Sequence, residues 1–373
     1  RAGVQHVARI AISMRVMHLE LGRHLYGGAK QVEYLIKAIT VQSNAVEQHL
    51  VCAEGSDIAA LRLSDCEIHA LPYAGEPDIS ILWRLAGLVR ALQPDILHVH
   101  SRRGADLWGA IIARYTGIPA ICTRRVDNPE SAISRLKYAE YKAVISISEG
   151  VRKVVSQRCP ASVFQQVIHS SVDLSEFHYA ADPDWFRREF AIPEGYRVLA
   201  NFAQLIERKG QHDIIAAMKQ VVAKQPNTLC LLFGKGSLAD DYQLHIDQAG
   251  ISDNVRLCGF TEQVSRILPN IDLLVHPAHA EGLGVILLQA GACKVPVIAS
   301  PSGGIPEIIK HEKTGWLTPA GDSDKLATAI CSALDNDDLR HALSEALLNH
   351  VSTHFSTEAM AKGYLSLYQH IKG

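Results

Sequence analysis

Short apolar runs alternate with helix-patterned stretches along nearly the whole of this chain, and midway the pattern begins again. Such alternation is the signature of parallel α/β units, whose strands are covered on both faces and so read as apolar runs. In the first half, residues 15–19, 48–52, 96–99, 120–122, 144–147 and 167–169 predict strands, and 29–40 and 79–92 predict helices. The periodicity breaks at Val172-Asp173-Leu174-Ser175-Glu176-Phe177, with Asp182-Pro183-Asp184 just beyond. Strands resume at 197–202, 228–233, 255–258, 271–275, 295–299 and 315–317, with helices over 211–224, 238–249, 285–292, 324–334, 338–353 and 357–371. A chain of 373 residues also exceeds one ordinary core. The expectation is two doubly wound α/β domains, residues 14–172 and 173–356, whose strand C-termini face an interdomain cleft.

Composition narrows the function classes. Hydrophobic content of 47% with 20% charged residues reads as a globular chain. A net charge of −2 excludes a generally basic nucleic-acid binder, and no nucleic-acid partner is expected. The eight cysteines are scattered, without a CxxC pair, and several sit inside apolar runs such as Leu229-Cys230-Leu231. Reduced core thiols are therefore expected, rather than disulfides or metal ligands. No apolar run approaches the roughly 18–20 residues that span a bilayer. Met14-Arg15-Val16 looks like a natural start, so residues 1–13 read as an upstream extension without the long apolar segment of a secretory signal. A cytoplasmic station is the expectation.

The densest chemical signal lies just past the apolar run 271–275, in His276-Pro277-Ala278-His279-Ala280-Glu281-Gly282-Leu283-Gly284-Val285. Gly282 and Gly284 let backbone come close to a ligand. A helix opening at about Val285 points unpaired N–H groups and its positive dipole end into the same place, which suits an anion such as a sugar phosphate. Together with Gln289, eight positions after Glu281, this stretch resembles the donor-sugar motif of retaining GT-B glycosyltransferases of the GT4 type, where a Glu, seven residues and a second Glu are usual. The resemblance covers nearly the whole chain from Met14 and is strongest in the second half. It implies a GT-B fold of two Rossmann-like domains, with the last helix, within 357–373, crossing back onto the first. It further implies that Glu281 contacts the hydroxyls of the donor sugar and that the amides of Leu283, Gly284 and Val285 face sugar or phosphate. Gln289 then stands where an acid usually accepts from the ribose, a bond that an amide oxygen can still take.

Enzymes of this fold generally work without a metal, so protein cations must steady the departing nucleoside diphosphate. The segment Ala203-Gln204-Leu205-Ile206-Glu207-Arg208-Lys209-Gly210 offers them. Relatives usually read Gly-Arg-Leu and later Lys-Gly here. Ala203 and Gln204 replace the first pair, Lys209-Gly210 is kept, and Arg208 is placed to supply the missing cation. Its guanidinium forks two oxygens where Lys209 acts as a point charge; the competing reading is a solvated helix start. Gly234, in Phe233-Gly234-Lys235-Gly236, reads as a turn near the nucleotide, and Phe260 is placed beside it among the donor-binding residues. Asp182-Pro183-Asp184, Asp322-Ser323-Asp324 and Asp335-Asn336-Asp337 spell DxD, but each adjoins a helix start, where capping accounts for it.

The first half carries weaker signals. Gly27-Gly28 follows the first strand, either as a plain turn or as the loop with which the family approaches donor phosphates. His98 and His100 share one strand face; zinc is conceivable there, but no third ligand is evident in the neighbouring sequence, and His100 is expected at the cleft with His98 packed behind it. Thr123-Arg124-Arg125 aligns with a family Thr-x-His, so Arg124 and Arg125 are read as contacts to an acidic acceptor. Eleven basic residues, Arg102 and Arg103 among them, against six acidic ones between 91 and 160 suit an anionic glycan, a glycolipid or an anionic membrane surface.

These readings converge on a retaining hexosyltransferase. It would use a nucleoside-diphosphate sugar, foremost a UDP-sugar, with no resident cofactor and no metal. Its acceptor would be an anionic envelope glycan such as lipopolysaccharide core, reached at the inner face of the cytoplasmic membrane. Two rivals stand: a nucleotide-sugar epimerase on the same frame, and a nucleotide-sugar-binding protein without catalysis, suggested by Gln204, Gln289 and Arg125.

Overall fold

The structure, a computed structural model, describes residues 14–100 and 104–373. The extension 1–13 and the pair Arg102 and Arg103 lie outside the described residues. The chain divides into two compact units. One takes the described residues up to Ile147, with Arg152–Ile168 and Thr357–Gly373; the other takes Ser148–Val151 and His169–Ser356. The division comes before His169 rather than after Val172, because Val172 N donates to Phe355 O and bridges to Ser356. Ser148–Val151 joins the second unit through Ser148 Oγ, which donates to Gly282 O at 2.6 Å, and Glu149 N, which donates to Glu307 Oε1 at 2.8 Å.

The first unit is a seven-stranded, wholly parallel sheet. Its strands are β1 (Met14–Glu20), β2 (Val46–Ala53), β3 (Cys66–Leu71), β4 (Ile96–Val99), β5 (Ala120–Arg124), β6 (Ala143–Ser146) and β7 (Phe164–Val167), in the order β3-β2-β1-β4-β5-β6-β7. The second unit has six: β8 (Arg197–Phe202), β9 (Thr228–Phe233), β10 (Val255–Gly259), β11 (Leu273–His276), β12 (Val297–Ala299) and β13 (Trp316–Leu317), ordered β10-β9-β8-β11-β12-β13. Each sheet reverses its winding once, between β1 and β4 and between β8 and β11. A crevice opens beyond the strand ends at such a switch point.

The central strands lie where the apolar runs predict them, and the differences are at the edges. Strand β3 has no apolar run to announce it: Cys66-Glu67-Ile68-His69-Ala70-Leu71 is half-exposed along its length. Strand β7 begins at Phe164 and ends at Val167, so the expected 167–169 is displaced toward the C-terminus; its Gln165-Gln166 centre is polar because an edge strand is covered on one side only.

The helix Thr357–Lys372 belongs to the first unit, where it packs on the helix Gly27–Gln42. Met360, Ala361, Tyr364, Leu367 and Tyr368 recur at helical spacing and are buried against Met14, Val16, Tyr34 and Ile96. Truncating one of the large apolar members, such as Leu367→Ala, would remove about 2–5 kcal/mol.

Candidate functional site

In the second unit, β11 ends at His276 and a short loop leads to the helix Val285–Ala292. Glu281 Oε2 in that loop accepts from Lys209 Nζ at 2.6 Å and from His276 Nε2 at 2.9 Å. Burial pushes the Glu281 carboxyl up, but the bond and charge of His276 and then those of Lys209 outweigh it, and the group is held down at about 2. A carboxylate is thus kept ionised although its side chain is only 14% exposed.

The loop is fixed from below. Gly303 has φ +54°, and a Cβ there would lie 1.6 Å from Glu281 O, so no other residue fits. Gly210 is equally constrained, with φ +75° and 2.2 Å from a would-be Cβ to Pro277 O. His279 N donates to Arg208 O at 2.8 Å, and His279 Nε2 bonds Asp213 Oδ2 at 2.6 Å. The short 3-10 turn Glu207–Lys209 is thereby laced to the loop carrying Glu281. Beneath it, buried Asn201 bonds Val275 O at 2.8 Å, and Gln211 Nε2 donates to Gln204 O at 2.9 Å.

The other expected donor residues cluster by element. Gly284, φ +92°, occupies the cap of the helix Val285–Ala292 and gives its first amides no side-chain cap. Leu283 is buried, leaving its backbone as the group that could meet a ligand. Gln289 is half-buried on the same helix. Gly234 N donates to Gly259 O at 2.8 Å, next to Phe260, which is 43% exposed and whose ring carries Lys235 Nζ 5.4 Å from its centroid. Two of the DxD stretches cap helices as expected: Asp182 accepts from Trp185 N and Asp322 from Lys325 N. In the third it is Asn336 that caps, while Asp337 pairs with Arg197 and Arg340.

In the first unit, His98 and His100 meet a third imidazole, His18 of β1, which the register sets opposite His98. His98 is sealed between Tyr368 OH at 2.6 Å and Thr123 Oγ1 at 2.7 Å. His100 is not at an opening, contrary to expectation. It is 2% exposed, and its Nε2 lies 2.9 Å from His18 Nδ1. Gln48 Nε2 donates to Ile36 O, so Gln48 Oε1 accepts from His18 Nε2–H, His18 Nδ1 accepts from His100 Nε2–H, and His100 Nδ1 is left a bare acceptor. Burial drives all three imidazoles toward the neutral form, His18 to about 4.

Arg124 and Arg125 do not act as a pair. Successive residues of a strand face opposite sides, and Arg124 turns inward to a buried ion pair, 2.8 Å from Glu130, each side chain 2% exposed. An acceptor contact by Arg124 is therefore corrected to a structural role. Arg125 turns the other way; its Cδ lies 3.1 Å from where a Cβ on Gly28 would be, which brings it to the Gly27-Gly28 turn at the start of the helix Gly27–Gln42. Of the basic stretch, Arg114 and Lys137 are also ion-paired, with Glu140 and Asp106. Arg135, Lys142, Lys153 and Arg158 are exposed.

Nothing in the sequence marks His276 as a partner of Glu281 beyond its place five positions before it, and His18, 80 residues from His98, is brought to it only by strand register.

Residues 184–349 match the family described as glycosyl transferases group 1, and residues 26–160 match the glycosyl transferase 4-like domain. Over 363 residues, 95% of this chain and 92% of the relative, the sequence is 22% identical to an N-acetyl-alpha-D-glucosaminyl L-malate synthase of Bacillus anthracis. It is 24% identical to the lipopolysaccharide core biosynthesis glycosyltransferase LpsD of Rhizobium meliloti, covering 95% of this chain and 98% of the relative. Among solved structures, Anabaena HepE, crystallised with UDP and glucose, superposes with a TM-score of 0.80 at 18% identity, over 96% of this chain and 100% of that one.

Proposed function

This chain belongs to the group 1 glycosyltransferases, and from that premise we propose that it moves a hexose-type sugar, with retention, from a UDP-sugar to a hydroxyl of an anionic envelope glycan or glycolipid, lipopolysaccharide core foremost. One observation carries the proposal: Glu281 is held ionised between Lys209 and His276 beside the glycine-capped helix Val285–Ala292. A fixed carboxylate accepts from sugar hydroxyls, while the adjoining helix start offers N–H groups to phosphate.

In this reading Lys209 has three ammonium donors, of which Glu281 takes one; the others face a leaving diphosphate. Arg208, on the same turn, adds a planar fork in place of the cation that Gln204 does not supply. Phe260 and Gly234 border the base, and Gln289 accepts from the ribose. The departing phosphate takes the acceptor's proton in a same-face displacement, so neither a protein base nor a metal is required. Gly27 and Gly28 approach the donor phosphates, and Arg125 beside Gly28 draws an acidic acceptor. The names of the relatives support that acceptor class, since L-malate is a dicarboxylate and a second relative builds lipopolysaccharide core. HepE, crystallised with UDP and glucose, supports the donor class. No helix among the described residues is long and apolar enough to cross a membrane. Exposed Ile133, Leu136 and Arg135 in and beside the helix Ser134–Tyr138 support a peripheral station on anionic lipid at the cytoplasmic face.

The test is a product assay with a panel of UDP-sugars, each with and without lipopolysaccharide core acceptor. Acceptor-dependent transfer with an unchanged anomeric configuration is expected. Epimerised sugar formed without acceptor, or donor binding with neither transfer nor slow hydrolysis, would replace the proposal by one of its two rivals.

A further inference from the structure

The register of β2 and β3 sets His49 opposite Glu67 and Val51 opposite His69. By strand alternation these side chains occupy the sheet face opposite Leu50, Cys52, Cys66 and Ile68, which pack with Val32 and Ile36. His49 Nδ1 lies 3.0 Å from His69 Nε2 and 3.5 Å from Glu67 Oε2, and the last two atoms are 3.8 Å apart. A triangle with these sides has a centre about 2.0 Å from all three atoms, against zinc–nitrogen and zinc–oxygen bonds of about 2.0–2.2 Å. The surroundings are those of a metal ligand as well. His49 Nε2 donates to Glu47 Oε1 at 2.8 Å, and Arg15 Nη2 fixes the same carboxylate at 2.8 Å. With its proton on Nε2, His49 keeps the Nδ1 lone pair for coordination, and a carboxylate behind a ligating imidazole raises its basicity.

We propose that His49, Glu67 and His69 form a divalent transition-metal site of the zinc class, which fastens the edge strand β3 to β2. Two imidazoles and a carboxylate suit zinc, and the exposed Glu67, 67% accessible against 4% for His49, leaves a fourth position to water. The buried trio His18, His98 and His100 is not an equivalent site, because both ring nitrogens of His98 are already bonded to Tyr368 and Thr123. The site sits mid-strand rather than at strand C-termini, so it stands apart from the transfer chemistry and does not depend on that reading.

The experiment uses the full chain freed of metal by a chelator and dialysis. Titration with zinc chloride is followed by calorimetry and thermal melting, and cobalt chloride by visible absorption. One zinc per chain, a melting temperature that rises with zinc but not with magnesium, and the intense visible bands of four-coordinate cobalt are expected. His69→Ala should abolish these signals, Glu67→Gln, at an exposed position, should weaken binding, and Glu47→Gln should weaken it by about tenfold or more. If His69→Ala does not fold, Glu67→Gln and Glu47→Gln decide the matter. No zinc binding by the unaltered chain, an equal response to magnesium, or wild-type affinity in the variants that fold would overturn the proposal.

Discussion

Beyond β11 a carboxylate is kept ionised by Lys209 and His276, whereas along β1 and β4 three imidazoles are kept neutral by burial. Both clusters stand at the switch point of a doubly wound sheet, and both are dense in hydrogen bonds. They differ in what the bonds are for. In the second unit they converge on one charged atom, Glu281 Oε2, whose loop is pinned by backbone contacts at Gly303 and Gly210. In the first they run from one neutral group to the next, from Ile36 O through Gln48 and His18 to His100, where the chain stops at an unbonded Nδ1. On the proposed function the charge retained in a nearly closed place is kept for a ligand, whereas a chain of neutral donors and acceptors is a way of filling a core. Polar residues at a switch point are thus not by themselves a sign of chemistry.

The two clusters should part most widely when Glu281 is replaced. Glu281→Ala should lower transfer by about 10²-fold, since it removes charged hydrogen bonds, while circular dichroism shows the fold persisting at a lower melting temperature, because Lys209 and His276 lose their buried partner. Activity near wild type would deprive the second unit of its special standing. Next, Lys209→Ala and Arg208→Ala should each weaken UDP binding by about 1.5–3 kcal/mol, read by calorimetry. A loss confined to Lys209 would refute the replacement of Gln204 by Arg208.

A smaller effect is expected at Arg125. Arg125→His should raise the acceptor KM roughly tenfold and leave donor hydrolysis nearly unchanged, and Arg125→Lys should recover part of the loss, because a point charge cannot reproduce a fork. Acceptor titrations at low and moderate salt check this; an unchanged KM in both variants removes the anionic acceptor from the reading. The smallest effect separates the two clusters by acid. The imidazoles have folded-state pKa values below the ordinary 6.5, so their contribution is present above 6.5 and drains as pH falls, toward about 4 for His18. Glu281 is lowered from 4.5 to about 2, so its contribution is intact above 4.5 and drains only below that. Hydrogen exchange between pH 6.5 and 4.5 should therefore loosen β1 and β4 before the Glu281 loop, with melting lower by about a few degrees. Simultaneous loosening would erase the distinction.

What could be read in advance follows the same division. Glu281, Gly284 and Val285 lie within five consecutive residues, so a linear motif carries most of that loop, and Lys209-Gly210 is a motif of its own. The central strands were legible because both of their faces are covered and the sequence is apolar throughout. Strand β3 was not, since an edge strand of alternating character leaves no run to see. His18 escaped for another reason: its relation to His98 exists only once β1 and β4 are in register. Arg124 was misjudged because adjacency in sequence means opposition in a strand, and the ion pair with Glu130 forms across a turn that spacing alone does not specify.

The return of the helix Thr357–Lys372 to the first unit bears on how the molecule is made. Met14, Val16 and Tyr34 are among the earliest described residues to leave the ribosome, yet Tyr364, Leu367 and Tyr368, which cover them, are among the last. The first unit waits with an open apolar face while the whole second unit is synthesised. At about 5–20 residues per second the interval is on the order of ten seconds or more, long enough for chaperones to matter. The half that begins first is the half that finishes last.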